Sequence, residues 1–130
     1  MTVREELTIQ GGPPAVSHYT DAVRFGDLLY VSGMVALSPD GEVVGKDDVI
    51  TQARHVHELL SRTFAQVGAT FADVLKVTVY LTDITDRAAV NEVRKEFFGA
   101  AKPASTLVQV AALVVPELLV EIEAVVGIPA

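Results

Sequence analysis

Apolar residues recur along this chain with two different periods, and the change of period marks its elements. Between Asp48 and Val67 they fall at Val49, Ile50, Ala53, Val56, Leu59, Leu60, Phe64 and Val67. Steps of three and four place these on one stripe of a helix. Asp47 or Asp48 can cap its first turn, and Gly68 follows the last periodic position as a stop. A shorter stripe, Ala89, Val90, Val93 and Phe97, predicts a second helix that begins after Asp86, finishes near Phe98 and is ended by Gly99.

Elsewhere the period is two, the signature of strands. Val74 to Leu81 alternates, with Leu75, Val77, Val79 and Leu81 on one face and Lys76, Thr78 and Tyr80 on the other. Leu28 to Ser32 is apolar and ends at Gly33, Thr106 to Val110 is short, and Leu119 to Val126 carries the alternating Val120-Glu121-Ile122-Glu123. Thr2 to Ile9 and Ser17 to Phe25 are further strand candidates. Loops fall at residues 11–14, 38–41 and 99–103, none long enough to link two domains. Pro39-Asp40-Gly41 is a turn signal, because proline fixes φ while Asp and Gly tolerate the remaining turn positions. Strands in runs with two helices between them predict a single α+β domain over residues 1–130, a mixed sheet with both helices on one face. The other face then needs a cover, which a homo-oligomer would supply.

Composition agrees with one globular domain. The 130 residues suffice for one sizeable core, and 50% apolar with 21% charged residues excludes a disordered chain. A mean hydropathy of +0.38 is high for a small monomer and points to apolar surface held in a subunit interface. The net charge of -7 repels phosphate backbones, and no run of Lys or Arg interrupts that field, so nucleic acid is not an expected partner. Nor is a membrane: the longest apolar stretch, Val110 to Val115, is far too short to span one. The first residues, MTVREELTIQ, lack an apolar signal core. The absence of cysteine excludes disulfides, thiolate nucleophiles and cysteine-ligated metals, and fits a cytoplasmic setting.

Candidate chemistry is sparse. Gly11-Gly12 has no following helix with a Lys-Ser/Thr signature, so no phosphate loop is present. His55 and His57, two apart on a helix, point to nearly opposite sides and cannot share a metal; both are expected to be solvated or rim residues. No metal or cofactor is expected. His18 stands beside the hydroxyl-bearing Tyr19. Glu121 and Glu123 share one strand face, either as a solvated sheet edge or at a cleft where one pKa is raised for acid–base work. Ser105 and Thr106 open a strand after Pro103, where hydroxyls usually satisfy local backbone groups. Gly33 after Ser32 suits a turn, a bulge or close approach to a ligand. Taken singly, each of these residues has an ordinary structural role.

Their order and spacing carry more. The segments Ala15-Val16-Ser17-His18-Tyr19, Leu29-Tyr30-Val31-Ser32-Gly33, Val90-Asn91 running to Phe97-Phe98, Lys102-Pro103-Ala104-Ser105-Thr106 and Val120-Glu121-Ile122-Glu123-Ala124 are collinear across residues 15–126. Together they resemble successive landmarks of the Rid family of reactive intermediate/imine deaminases, also called YjgF proteins and formerly endoribonuclease L-PSP. The resemblance implies a chorismate-mutase-like α+β fold, assembled as a homotrimer with sheets in a central barrel and helices outside. It also implies a small-molecule ligand in each intersubunit cleft, and hydrolysis of imines or enamines such as 2-aminoacrylate without a cofactor.

By the same resemblance Glu121 is the glutamate implicated in hydrolysis, Tyr19 the pocket tyrosine, Ser32 and Gly33 a pocket wall, and Asn91 a helix asparagine. The family's Pro-Ala-Arg-Ser run stands here as Pro103-Ala104-Ser105-Thr106, so Ser105 occupies the place of the arginine that anchors the substrate carboxylate. Serine offers neither fixed charge nor a planar fork, a loss of roughly 1.5–3 kcal/mol in binding. Lys102 and Arg24 are candidate replacement cations. His18 replaces a proline common in the family and brings a titratable group to the rim. Two expectations follow. One is a hydrolase of a different small reactive molecule, in which Glu121 activates water, Ser105 and Thr106 donate hydrogen bonds, and Tyr19 with His18 lines the ligand. The other is a non-catalytic trimeric binder using the same cleft. Ribonuclease activity, an older reading of the family, is disfavoured by the acidic charge.

Overall fold

The computed structural model describes residues 2–130. In chain order its elements are β1 (Glu5–Leu7), β2 (Ala22–Phe25), β3 (Leu28–Val35), α1 (Val49–Ala65), β4 (Val74–Leu81), α2 (Arg87–Phe98), β5 (Ala104–Gln109) and β6 (Val120–Gly127). Both helical stripes form helices, and the predicted stops hold. Asp48 caps α1 by accepting the Thr51 N–H at 3.1 Å, while Gly68 and Gly99 take the positive φ that ends each helix. The first two strand candidates shrink to Glu5–Leu7 and Ala22–Phe25, and residues 16–21 form a loop that reaches β3 only through Thr20 and Asp21.

The strands form one mixed sheet in the order β1-β2-β3-β6-β4-β5, antiparallel except for the β4–β5 pair, which α2 connects as a crossover. Both helices cover one face. Val56, Leu59, Leu60 and Phe64 of α1 join Leu29, Val77, Val79, Val120 and Ile122 in the core. Gln52 is buried with them. Its Nε2 donates to the carbonyls of Gly45 and Glu117, both at 3.0 Å, and its Oε1 accepts the Leu119 N–H at 2.8 Å. This amide clamps the start of α1 to the loop that leads into β6.

Two expectations are corrected. Leu75 does not share a face with Val77, Val79 and Leu81: a register irregularity between Val74 and Lys76 buries Val74 and turns Leu75 out, 52% exposed, against Gly127. His57 is no rim residue, being only 1% exposed. Its ring stacks 5.0 Å from Phe97, and its Nδ1–H donates to the Ala53 carbonyl at 2.7 Å. His55 is partly buried on another side of α1, bonded to the Leu37 carbonyl.

Burial pushes the His57 pKa down to about 4, with the nearby Arg94 charge adding to the shift. The folded protein therefore keeps His57 neutral where the unfolded chain protonates it. Stability is lost as pH falls from about 6.5 to about 4, by on the order of 3 kcal/mol. Urea unfolding of wild type and His57→Phe at pH 7 and pH 4 isolates this contribution. A difference between the two proteins that stays constant across those pH values would refute it.

Among the described residues, the second face of the sheet carries no helix. Tyr30 opposite Val125, Tyr80 opposite Val108, and Leu75 lie on it. Tyr30 is 51% exposed. Among the described residues no helix is long and apolar enough to cross a membrane.

Candidate functional site

The central feature is a break in the β3–β6 ladder. Between the Val31–Ala124 and Met34–Ile122 pairs, β3 advances by one residue more than β6, a bulge that contains Ser32 and Gly33. The loop before β2 is strapped onto this bulge. The Ser32 hydroxyl donates to the Thr20 carbonyl at 2.6 Å, and the Ser32 N–H donates to the Asp21 carbonyl at 2.9 Å. The Asp21 carboxylate in turn accepts the Ile9 N–H at 2.8 Å, fixing the loop from its other end. Tyr19 is carried on this strapped segment.

Glu121 fills the space beside the bulge. A Cβ on Gly33 would lie 2.7 Å from Glu121 Cδ and 2.9 Å from Cγ, so only glycine leaves room for this carboxylate. The reason is steric, since Gly33 does not have a positive φ. Tyr19, Ser32, Gly33, Val35, Val114 and Glu121 line a cavity of about 280 Å³. Partial burial raises the Glu121 pKa above the ordinary carboxylate range, and the Glu123 charge two residues along adds to it. Glu123 itself accepts a hydrogen bond from the Tyr80 hydroxyl, a bond that raises the tyrosine's own pKa and keeps it a donor. The two carboxylates on one strand face thus stand in different environments, Glu121 beside the Gly33 bulge and Glu123 bonded to the Tyr80 hydroxyl.

Asn91 and Ser105 lie elsewhere. In β6 the residues Val120, Ile122, Ala124 and Val126 are buried under the helices, which leaves Glu121 on the helix-free side. Ser105 pairs with the buried Val77 and so belongs to the helix side, next to α2. There the Arg94 Nη2 donates to the Ser105 hydroxyl at 3.0 Å. Asn91, Arg94, Phe98, Lys102 and Pro103 line a second cavity, of about 420 Å³.

The structure therefore brings Tyr19, Ser32, Gly33 and Glu121 together, and sets Asn91 and Ser105 apart from them near Arg94, Asn91 in the second cavity with it and Ser105 bonded to it. Thr106 belongs to neither: it lies opposite Thr78 and accepts from the Lys76 ammonium at 2.6 Å. His18 is exposed and does not line the Glu121 cavity. Of the two candidate cations, Lys102 lines the second cavity, whereas Arg24 donates to the Gly26 carbonyl within its own hairpin. Arg94, which touches Ser105, is not among the residues the sequence singled out. Its signal was the spacing of three from Asn91, which puts both side chains on one side of α2. Among the described residues, no three His, Asp or Glu side chains converge as a metal site.

Comparison with known proteins bears on the whole chain. Residues 10–128 match the family model described as endoribonuclease L-PSP. A RutC family protein of Pyrococcus abyssi is 37% identical over 94% of this chain and 95% of its own length. The 3-aminoacrylate deaminase RutC of Acinetobacter baylyi is 34% identical over 94% of this chain and 96% of its own. Among solved structures, a protein of the Rid family from Yersinia pestis superposes with a TM-score of 0.89 at 31% identity, covering 96% of this chain and 99% of that one. The match in sequence and the superposition in space both extend over nearly the whole chain: the chain belongs to the Rid family, also described as the endoribonuclease L-PSP family.

Proposed function

We propose that this protein hydrolyses a small imine or enamine in a cleft between subunits of a homotrimer, with Glu121 as the acid–base group. The observation that carries the proposal is the Glu121 carboxyl itself. It is partly buried, raised in pKa, and seated in a cavity that exists because residue 33 has no side chain. Such a group takes a proton from water as the oxygen attacks the imine carbon. The imine nitrogen is protonated, and the resulting carbinolamine collapses to a carbonyl compound with release of ammonia. An enamine enters the same path after protonation at carbon. The deaminase name of the Acinetobacter relative supports this reaction class.

The trimer is supported by family membership and by the helix-free face with its exposed Tyr30 and Leu75. It accounts for the separation of the Glu121 cavity from Asn91 and Ser105, since a neighbouring copy would bring the second half of the cleft to the first. Sedimentation at the mass of one chain would sink that assembly.

Substrate choice is expected to differ from the family standard, because Ser105 is neutral. Wild-type protein, assayed against a panel of imines and enamines, is expected to turn over 2-aminoacrylate slowly. The double change Ser105→Arg with Arg94→Ser moves the guanidinium from helix to strand without crowding two cations. It is expected to raise the 2-aminoacrylate rate roughly tenfold to a hundredfold. Fast wild-type turnover of 2-aminoacrylate would contradict the assignment at Ser105. Ligand-dependent thermal stabilisation with no turnover of any imine would replace the hydrolase by a non-catalytic binder, the reading that the loss of the strand arginine favours.

A further inference from the structure

Among the described residues, Arg94 is a cation without a counter-ion. It is partly buried, and burial lowers its pKa, a sign that its charged form is being held against desolvation. Among the described residues the ion pairs are Arg4–Glu6, Arg54–Glu96 and Lys95–Glu92, and none includes Arg94. Its hydrogen-bond partner is the neutral Ser105 hydroxyl. A guanidinium presents five N–H donors. A partly buried guanidinium with one neutral acceptor leaves most of its donors open to water or to a ligand.

The surroundings share this bias. In a chain of net charge -7, the cavity beside Arg94 is lined by three cations, Arg94, Lys95 and Lys102, and one carboxylate, Glu92. Glu92 is engaged by Lys95 at 3.1 Å, so it does not neutralise the other two. Asn91 adds an amide from the preceding helical turn, and the apolar Phe98 and Pro103 bound the space. A site with two free cations, an amide and a hydroxyl suits a small carboxylate, which a guanidinium can hold through two parallel hydrogen bonds.

We infer that Arg94 is the anion anchor of this protein, holding the carboxylate of its ligand from helix α2 at the place where Ser105 leaves room. The inference deepens the proposed function and rests on the cleft reading given there. The anchor comes from the helix and ends beside the Ser105 side chain. A carboxylate held there sits close against β5, whereas an arginine rooted on the strand would hold it a full side chain further out. The ligand that fits both this anchor and Glu121 therefore has a carboxylate set at a different distance from its reactive carbon than 2-aminoacrylate has.

Binding of propionate and of its neutral isostere propionamide, followed by NMR shifts of the α2 and 99–103 amides, tests the anchor without requiring turnover. Wild-type protein is expected to bind propionate at least tenfold more tightly than propionamide. Arg94→Gln is expected to abolish that preference, and Arg94→Lys to retain part of it, which a mere prop for Ser105 would not require. Equal binding of the two probes by wild type, or an undiminished preference in folded Arg94→Gln, overturns the inference. The two readings fail separately. A preference lost in Arg94→Gln in a protein that turns over no imine supports the anchor and sinks the hydrolase. Turnover that depends on Glu121 but ignores Arg94 does the reverse.

Discussion

Replacing Glu121 by glutamine is expected to lower kcat/KM for the imine substrate by roughly 10²–10⁴-fold, the usual range for loss of a positioned acid–base group. Glutamine keeps the size of the side chain and can occupy the space beside Gly33, so the thermal midpoint should change little. What it removes is the ability to take a proton from water and return it to nitrogen. Because burial raises the Glu121 pKa, the acid limb of the wild-type kcat/KM profile should lie above the ordinary carboxylate range. Activity falls as pH drops through that value, since the base form is lost. In Glu121→Gln the limb should vanish along with most of the rate. Equal turnover by the two proteins, or an unchanged acid limb, would remove Glu121 from the mechanism.

Gly33→Ala should cost nearly as much activity, although it changes no reactive group. The new methyl would lie 2.7 Å from Glu121 Cδ and 2.9 Å from Cγ, well inside contact distance. Gly33 does not have a positive φ, so alanine meets no backbone penalty there. The conflict is with the carboxylate, which sits at the end of a flexible side chain and can swing away. The expected result is a folded protein with Glu121 displaced, kcat/KM lower by roughly 10²-fold or more, and stability within about 1 kcal/mol of wild type. A double-mutant cycle identifies the cause. If both changes act through one carboxylate, adding Gly33→Ala to Glu121→Gln costs almost nothing further. Additive losses would mean that Gly33 serves the cleft in some other way.

Much of the scaffold was legible from periodicity. The apolar stripes of α1 and α2 and the alternation in β6 are long enough to outweigh local exceptions, and Gly68 and Gly99 stop the helices where their positive φ is needed. Leu75 was illegible because a one-residue irregularity reverses a strand's faces without altering its composition. His57 was misjudged for another reason. Its burial depends on Phe71, Phe97 and Phe98, which reach it from other segments, so its neighbours on the helix carry no trace of it.

The candidate site divides the same way. Glu121 and Gly33 were singled out through resemblance, each weak alone, and the structure sets the Glu121 side chain against Gly33. Ser105 was legible as a missing charge. Arg94, which points at it from another element, was not, because a long side chain's reach is a property of packing rather than of spacing.

β6 follows the other five strands in the chain, yet it lies between β3 and β4 in the sheet. Until it is in place, β1-β2-β3 and β4-β5 are two half-sheets with no ladder between them. During synthesis the ribosome therefore releases both halves before the strand that can join them. The Gln52 clamp waits on the same event, since its partners Glu117 and Leu119 lie 65 and 67 residues further along the chain. Glu121 arrives on the joining strand. A nascent chain stopped short of β6 would carry two open sheet edges and no carboxylate, whereas closure of the sheet delivers that carboxylate to Gly33 in the same step.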